Sequence, residues 1–305
     1  MTTTKPTLRF ALFGNVYQHA KSAAVAQVIE CLQQRGAELF IDEEYYDFLR
    51  CSELITPLRA KTFADRHFDV DFAISMGGDG TFLKTAGRVG DKAIPILGVN
   101  MGRLGFLADV TAREVEACIT ALYEGDYSVE ERSLIRVAAS TAQGDGHTAR
   151  GEVAWQGHAL NDVAILKRDT ASMITIRAEV NGEYLATYQA DGLIVSTPTG
   201  STAYSLSNGG PIIVPGTNVM LMTAVAPHSL NIRPIVLPDT AQITLAVSSR
   251  SHTFLVAVDG QSEKLPEGTT LHLGRADYKV RVVKRAGTRY FTTLREKMMW
   301  GADVR

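Results

Sequence analysis

Residues 72–89 read FAISMGGDGTFLKTAGRV, and this stretch decides the architecture. Residues 72–76 form a short, mostly apolar run, the pattern of a strand buried on both faces. Gly77, Gly78 and Gly80 surround Asp79 directly after it, and residues 81–89 read as the following helix. In an open α/β sheet such a turn lies at the carboxyl edge of its strand, where ligands bind. Glycines let backbone amides approach a phosphate, and the helix N-terminus adds its positive dipole end. Asp79 is the odd member, because a carboxylate among phosphate-binding glycines repels the ligand unless it holds a metal or accepts a proton. Taken alone, the same four residues also fit a tight turn with an aspartate helix cap.

On both sides of this stretch, strand and helix alternate. Residues 8–13 and 37–41 read as strands. Between them Val25, Val28, Ile29 and Leu32 share one helical face, which Gly36 ends. Residues 94–99 read as a further strand. Thr111 and Glu114 make a capping-box pattern ahead of Val115, Ile119 and Leu122, with the helix running to Gly125. This alternation predicts an α/β domain with a mostly parallel sheet. From about Leu134 the rhythm changes. Residues 173–180 and 183–189 flank Asn181-Gly182, a strong hairpin signal. Residues 242–247, 253–258, 270–273 and 278–283 are further β-rich runs. An all-β, sandwich-like second domain follows from them. The expected division is residues 1–130, 131–285 and a C-terminal segment 286–305 that regains loose helical spacing and packs back on the first domain.

Of the 305 residues, 45% are hydrophobic and 21% charged, which marks a folded globular chain. The formal net charge of -2 argues against nucleic acid or an anionic membrane as partner, since either favours a basic excess. Cys31, Cys51 and Cys118 form no paired spacing, and Cys31 and Cys118 lie on apolar helical stripes. Residues 1–6 lack the apolar region of a secretory signal, and no run is apolar for the length a membrane helix needs. The expectation is a cytoplasmic protein. No histidine has metal-ligand spacing, so no metal-binding residue is expected.

A second cluster runs from Asp191-Gly192 through Leu193-Ile194-Val195 into Ser196-Thr197-Pro198-Thr199-Gly200-Ser201-Thr202-Ala203-Tyr204-Ser205-Leu206-Ser207 and Asn208-Gly209-Gly210-Pro211. A loop this rich in hydroxyls and glycine offers short donors for ribose hydroxyls and phosphates, and Tyr204 could stack on a base or a nicotinamide ring. The alternative is a solvated Ser/Thr loop, which the apolar flanks disfavour. Gly200-Ser201-Thr202 lacks the lysine of a P-loop, and no GxGxxG follows a strand. Third, Asn161-Asp162 opens an apolar run, either as an Asx-turn or as a pair that chelates ribose hydroxyls or a carboxamide.

With these clusters together, the chain resembles the bacterial NAD kinase family. Residues 77–81 resemble that family's GGDGT signature and residues 98–107, GVNMGRLGFL, a second segment. Residues 191–211 resemble its longest motif almost throughout. Pro227-His228-Ser229-Leu230 with Arg233-Pro234, and Asp259-Gly260-Gln261, resemble two more. The resemblance implies transfer of the ATP γ-phosphoryl group to the 2′-hydroxyl of NAD's adenosine ribose. It makes Asp79 the general base, with Gly80 beside the ligand and Phe106 flanking the nucleotide. Asn161 and Asp162 would hold NAD, although many members carry Glu at the latter position. Asp191, Thr202, Ala203, Tyr204, Ser205, Leu206, Ser207, Ala226 and Gln261 would line the dinucleotide site. Lys84, a helical turn past Asp79, is either a phosphate partner or a solvated helix lysine. A divalent cation, expected to be magnesium, would accompany the ATP, and the family's homodimers and tetramers imply a homo-oligomer. The rival readings are a non-catalytic dinucleotide-binding regulator and a lipid kinase with the same GGDG loop.

Overall fold

The structure is a computed structural model that describes residues 7–16, 22–52, 60–102, 105–141, 153–169, 172–285, 287 and 290–301. Residues 1–6, His19, Arg103, Leu104 and His147, on which parts of the sequence reading fall, lie outside the described residues. The chain divides into two compact units, Met1–Glu131 with Val280–Arg305, and Arg132–Lys279. Among the described residues no helix is long and apolar enough to cross a membrane.

The first unit begins with β1 (Arg9–Gly14), α1 (Ser22–Gln34), β2 (Glu38–Asp42), α2 (Glu43–Cys51) and β3 (Ala60–Phe63). It continues with β4 (Phe72–Gly77), α3 (Asp79–Val89), β5 (Ile96–Asn100), β6 (Val110–Thr111) and α4 (Val115–Glu124). The strands β5, β4, β1, β2 and β3 lie side by side in that order, every pair parallel. Strand order therefore reverses between β1 and β4, the switch point at which an open sheet leaves a crevice beyond its carboxyl ends. All six residues of β4 are buried, as its mostly apolar run requires of a central parallel strand. Phe10, Leu12, Ile74, Leu97 and Val99 from the sheet pack with Val28, Ile29 and Leu32 of α1 and Ile119 and Leu122 of α4. The Thr111–Glu114 capping box is present, and Gly125 ends α4 at φ 75°. Cys31 and Cys118 are buried.

Sequence reading missed α2 and β3, among other elements. In α2 only Tyr45 and Leu49 are buried, too short a stripe to stand out from its charged neighbours. In β3 the edge position leaves Lys61 and Thr62 exposed.

The second unit draws on β7 (Tyr127–Thr141), β8 (Val153–Ala159), β9 (Asp162–Lys167), β10 (Ile174–Val180), β11 (Glu183–Ala190), β12 (Gly192–Ser196) and the short α5 (Tyr204–Ser207). It is completed by β13 (Val219–Val225), β14 (Ile235–Pro238), β15 (Ile243–Ser248), β16 (Thr253–Val258), β17 (Gln261–Pro266) and the first part of β18 (Thr269–Arg285). One antiparallel sheet has the order β14-β13-β12-β9-β16-β17, and β11, β10, β15 and β18 pair antiparallel in another. Their inward residues, among them Val163, Leu193, Phe254, Ile176, Leu245 and Leu271, form one core, so this half is a β-sandwich. The hairpin at Asn181-Gly182 forms with both residues at positive φ, as an Asn-Gly turn favours. The two runs near residues 270 and 280 are one long strand, β18, rather than two.

The last part of β18 belongs to the first unit, where Val282 pairs with Ile96 in parallel, and α6 (Tyr290–Met298) follows. Lys284 on this segment reaches Asp109 at 2.5 Å, with both side chains only 8% exposed. Burial pushes the Asp109 carboxyl upward, and the Lys284 ammonium opposes that rise. Removing one partner of a buried pair leaves an uncompensated charge. Lys284→Ala should lose about 3–5 kcal/mol of unfolding free energy. A urea titration that finds less than about 1 kcal/mol would contradict this burial of the pair.

Candidate active site

Asp79 is the first residue of α3, with Gly78 as the N-cap, and its carboxylate makes no hydrogen bond to its own helix turn. The helix-cap reading therefore does not apply. Instead the carboxylate reaches the loop that follows β5. Its Oδ2 accepts the Phe106 N–H at 2.9 Å, and its Oδ1 accepts those of Leu107 and Ala108, both at 3.0 Å. A Cβ at residue 105 would overlap this carboxylate, so the approach requires Gly105. Gly80 has open space where a side chain would stand, so internal packing does not demand its glycine. Burial alone would raise the Asp79 carboxyl. The Ala108 amide, the charge of Lys297 and the amides of Phe106 and Leu107 outweigh it and hold the group below the usual carboxylate range. Asp79 is thus a fixed carboxylate at neutral pH, at the carboxyl edge of β4 beside the switch point.

The cation on Asp79 is not Lys84, which is exposed on α3, but Lys297 of α6. Its Nζ lies 3.2 Å from Asp79 Oδ2 and 4.3 Å from the centroid of the Phe106 ring. Tyr290, at the start of α6, lies against the same ring at 6.0 Å. Sequence reading did not find Lys297, because a lysine in a polar helical tail carries no local signal of its partner.

The second unit holds a matching arrangement. Asp259, in the β16–β17 turn at φ 47°, accepts the backbone N–H groups of Leu160 and Asn161 at 2.8 Å and of Asp162 at 3.1 Å. The Asp259 amide donates back to the Asp162 carbonyl at 3.0 Å. This turn holds Asn161 half-buried and Asp162 buried. Asp259 was visible in the sequence only as part of a motif, without a role. A Cβ at residue 200 would overlap the Asn161 backbone, so Gly200 lets the hydroxyl-rich loop close on the same turn.

That loop corrects the sequence reading of its hydroxyls as free donors. Thr197 Oγ1 donates to the Leu160 carbonyl at 2.5 Å, Ser201 Oγ to the Pro198 carbonyl at 2.7 Å, and Ser205 Oγ pairs with Thr223 Oγ1 at 2.8 Å. Ser196, Thr197, Ser201 and Ser205 are at most 2% exposed. Buried hydroxyls must be paired, and these hold the loop's shape. Ser205 therefore offers no free side chain, and Asp191 is engaged by Lys167 at 2.7 Å. What the loop presents outward is Tyr204, 39% exposed, and Ser207, with Thr202, Ala203 and Leu206 half-buried. Ala226, at φ 43°, and Gln261 are exposed in the same unit.

Asp162 is buried, and its carboxyl neighbours that of the half-buried Asp259. Burial, then the Asp259 charge, pushes the Asp162 carboxyl up to about 7. Burial also raises Asp259, against the three amides it accepts. An unfolded aspartate releases its proton near pH ~3.9, whereas folded Asp162 keeps it to about 7. Between those values the folded state binds more protons, so this group's contribution to stability falls as pH rises and levels off above 7. Compared with Asp162→Asn, the wild type should lose stability across that window in chemical denaturation at stepped pH. Parallel curves for the two proteins would refute the assignment.

Comparison with known proteins agrees with this layout. The ATP-NAD kinase N-terminal domain matches residues 11–127, and the ATP-NAD kinase C-terminal domain matches residues 160–285. The NAD kinase of Bacteroides fragilis is 53% identical over 298 residues, covering 98% of this chain and 100% of the relative. That of Porphyromonas gingivalis is 42% identical over 297 residues, covering 97% and 99%. Two crystal structures share the fold. Yeast NADH kinase complexed with NADH has a TM-score of 0.88 at 22% identity over 98% of this chain and 90% of its own. An NAD kinase from Archaeoglobus fulgidus in complex with ATP has a TM-score of 0.72 at 24% identity, over 96% and 99%. The chain belongs to the ATP-NAD kinase family.

Proposed function

We propose that this chain is an NAD kinase that moves the γ-phosphoryl group of ATP onto the 2′-hydroxyl of NAD's adenosine ribose, giving NADP and ADP. The observation that carries the reaction type is Asp79, a carboxylate fixed by three amides among glycines at the switch point. Phosphoryl transfer runs through a loose transition state and asks mainly for positioning and charge stabilisation. Little proton transfer is needed before the new bond is well advanced, so a weak base suffices. Asp79 orients the hydroxyl and takes its proton as the O2′–Pγ bond forms and the bridging oxygen leaves with ADP. Gly80 leaves room beside it, and Phe106 flanks the nucleotide.

Asn161 and Asp162 bind the dinucleotide. With its proton retained to about 7, Asp162 can donate as well as accept a hydrogen bond, which suits a ribose hydroxyl. Tyr204 offers an exposed ring for stacking, and Thr202, Ala203, Leu206, Ser207, Ala226 and Gln261 complete the lining. Among the described residues no group of three or more His, Cys, Asp or Glu could hold a metal ion. Magnesium enters here as part of the ATP substrate. A cytoplasmic homo-oligomer is part of this proposal, as the resemblance implies.

Asp79→Asn keeps the shape and loses the proton acceptor. With ATP and magnesium, the wild type should convert NAD to NADP, and the variant should turn over about 100-fold more slowly or worse. Its dissociation constant for NAD, read by calorimetry, should stay close to that of the wild type. Turnover equal to the wild type would remove Asp79 from this role.

A further inference from the structure

Asp79 has a full set of partners. A carboxylate offers about four acceptor positions, and here three amides and the Lys297 ammonium engage the group. A ribose hydroxyl that is to give its proton to Asp79 must therefore displace one of them. The amides of Phe106, Leu107 and Ala108 belong to a loop pinned at Gly105 and anchored at Asp109 by Lys284. Lys297 is the movable partner. It sits on a long single side chain, and its side chain and that of Asp79 are 30% and 28% exposed. Once displaced, its ammonium stays on α6 within a side chain's length of the carboxylate, where phosphate oxygens arrive.

We propose that Lys297 is a catalytic cation of the phosphoryl transfer, held on Asp79 until the hydroxyl takes its place and then passed to the oxygens of the transferring phosphoryl group. This rests on the reading of Asp79 as the proton acceptor. As O2′ attacks Pγ, the hydroxyl proton goes to Asp79 and the electron pair of the breaking bond goes to the departing ADP oxygen. Lys297 changes partner without losing or gaining a proton, and it stabilises the charge on the equatorial oxygens. The Phe106 ring, 4.3 Å from Nζ, gives the ammonium a second attractive surface on the way.

The test is Lys297→Met, which keeps the apolar stem on the Phe106 ring and removes the charge, with Lys297→Arg and Asp79→Asn beside it. For Lys297→Met, kcat should fall about 100-fold or more, while NAD binds as well as or better than in the wild type, because an acceptor position on Asp79 is free. Lys297→Arg should recover most of that loss. If Lys297→Met keeps wild-type kcat, or loses kcat only in proportion to weaker NAD binding and a lower Tm, the proposal is overturned and the lysine is merely structural. If Asp79→Asn is inactive while Lys297→Met is fully active, only the lysine's role fails. If Asp79→Asn is fully active, the reading beneath it fails as well.

Discussion

A half-buried carboxylate that accepts three consecutive backbone amides is the constraint on which the first unit's candidate site depends. The three amides offset the desolvation that partial burial imposes on the Asp79 anion. The bond set explains features that otherwise look unrelated. Residue 105 must be glycine to admit the carboxylate, and the loop must turn back across β5. Asp109, next along, is tied to Lys284. The consequence is an anion whose position is set by backbone rather than by a rotamer, the kind of preorganisation that phosphoryl transfer uses.

The second unit uses the same device with a different outcome. Asp259 gathers the amides of residues 160–162 and so fixes the turn that carries Asn161 and Asp162. In the first unit the cation Lys297 accompanies the carboxylate, and Asp79 stays ionised. In the second, burial and then the charge of a neighbouring carboxyl keep the proton on Asp162 to about 7. Environment assigns the two acidic sites different chemistry, one suited to accepting a proton and the other to sharing a hydrogen bond with a neutral ligand.

Local pattern made much of this legible. The mostly apolar run of β4, the glycines around Asp79, the Thr111–Glu114 cap and the Asn181-Gly182 turn each state their structure within a few residues. The order of the motifs along the chain also points to the family. What stayed hidden depends on distance or on burial. Lys297 lies 218 residues from Asp79, and no periodicity links them. Asp259 lies 98 residues from Asn161. The hydroxyls of residues 196–205 illustrate the second limit, because composition cannot distinguish a serine that faces a ligand from one that holds a loop together. Ser205, paired with Thr223 in the core of its loop, is the clearest case.

The central claim is that the 2′-hydroxyl of the adenosine ribose is the group phosphorylated. Its most direct test locates the new phosphorus on the product. The purified protein would be incubated with NAD, ATP and magnesium, and the product examined by phosphorus–proton correlation NMR. The account predicts coupling of a new monoester phosphorus to the adenosine H2′. Coupling to H3′ or to the nicotinamide ribose, or recovery of unchanged NAD, would contradict it.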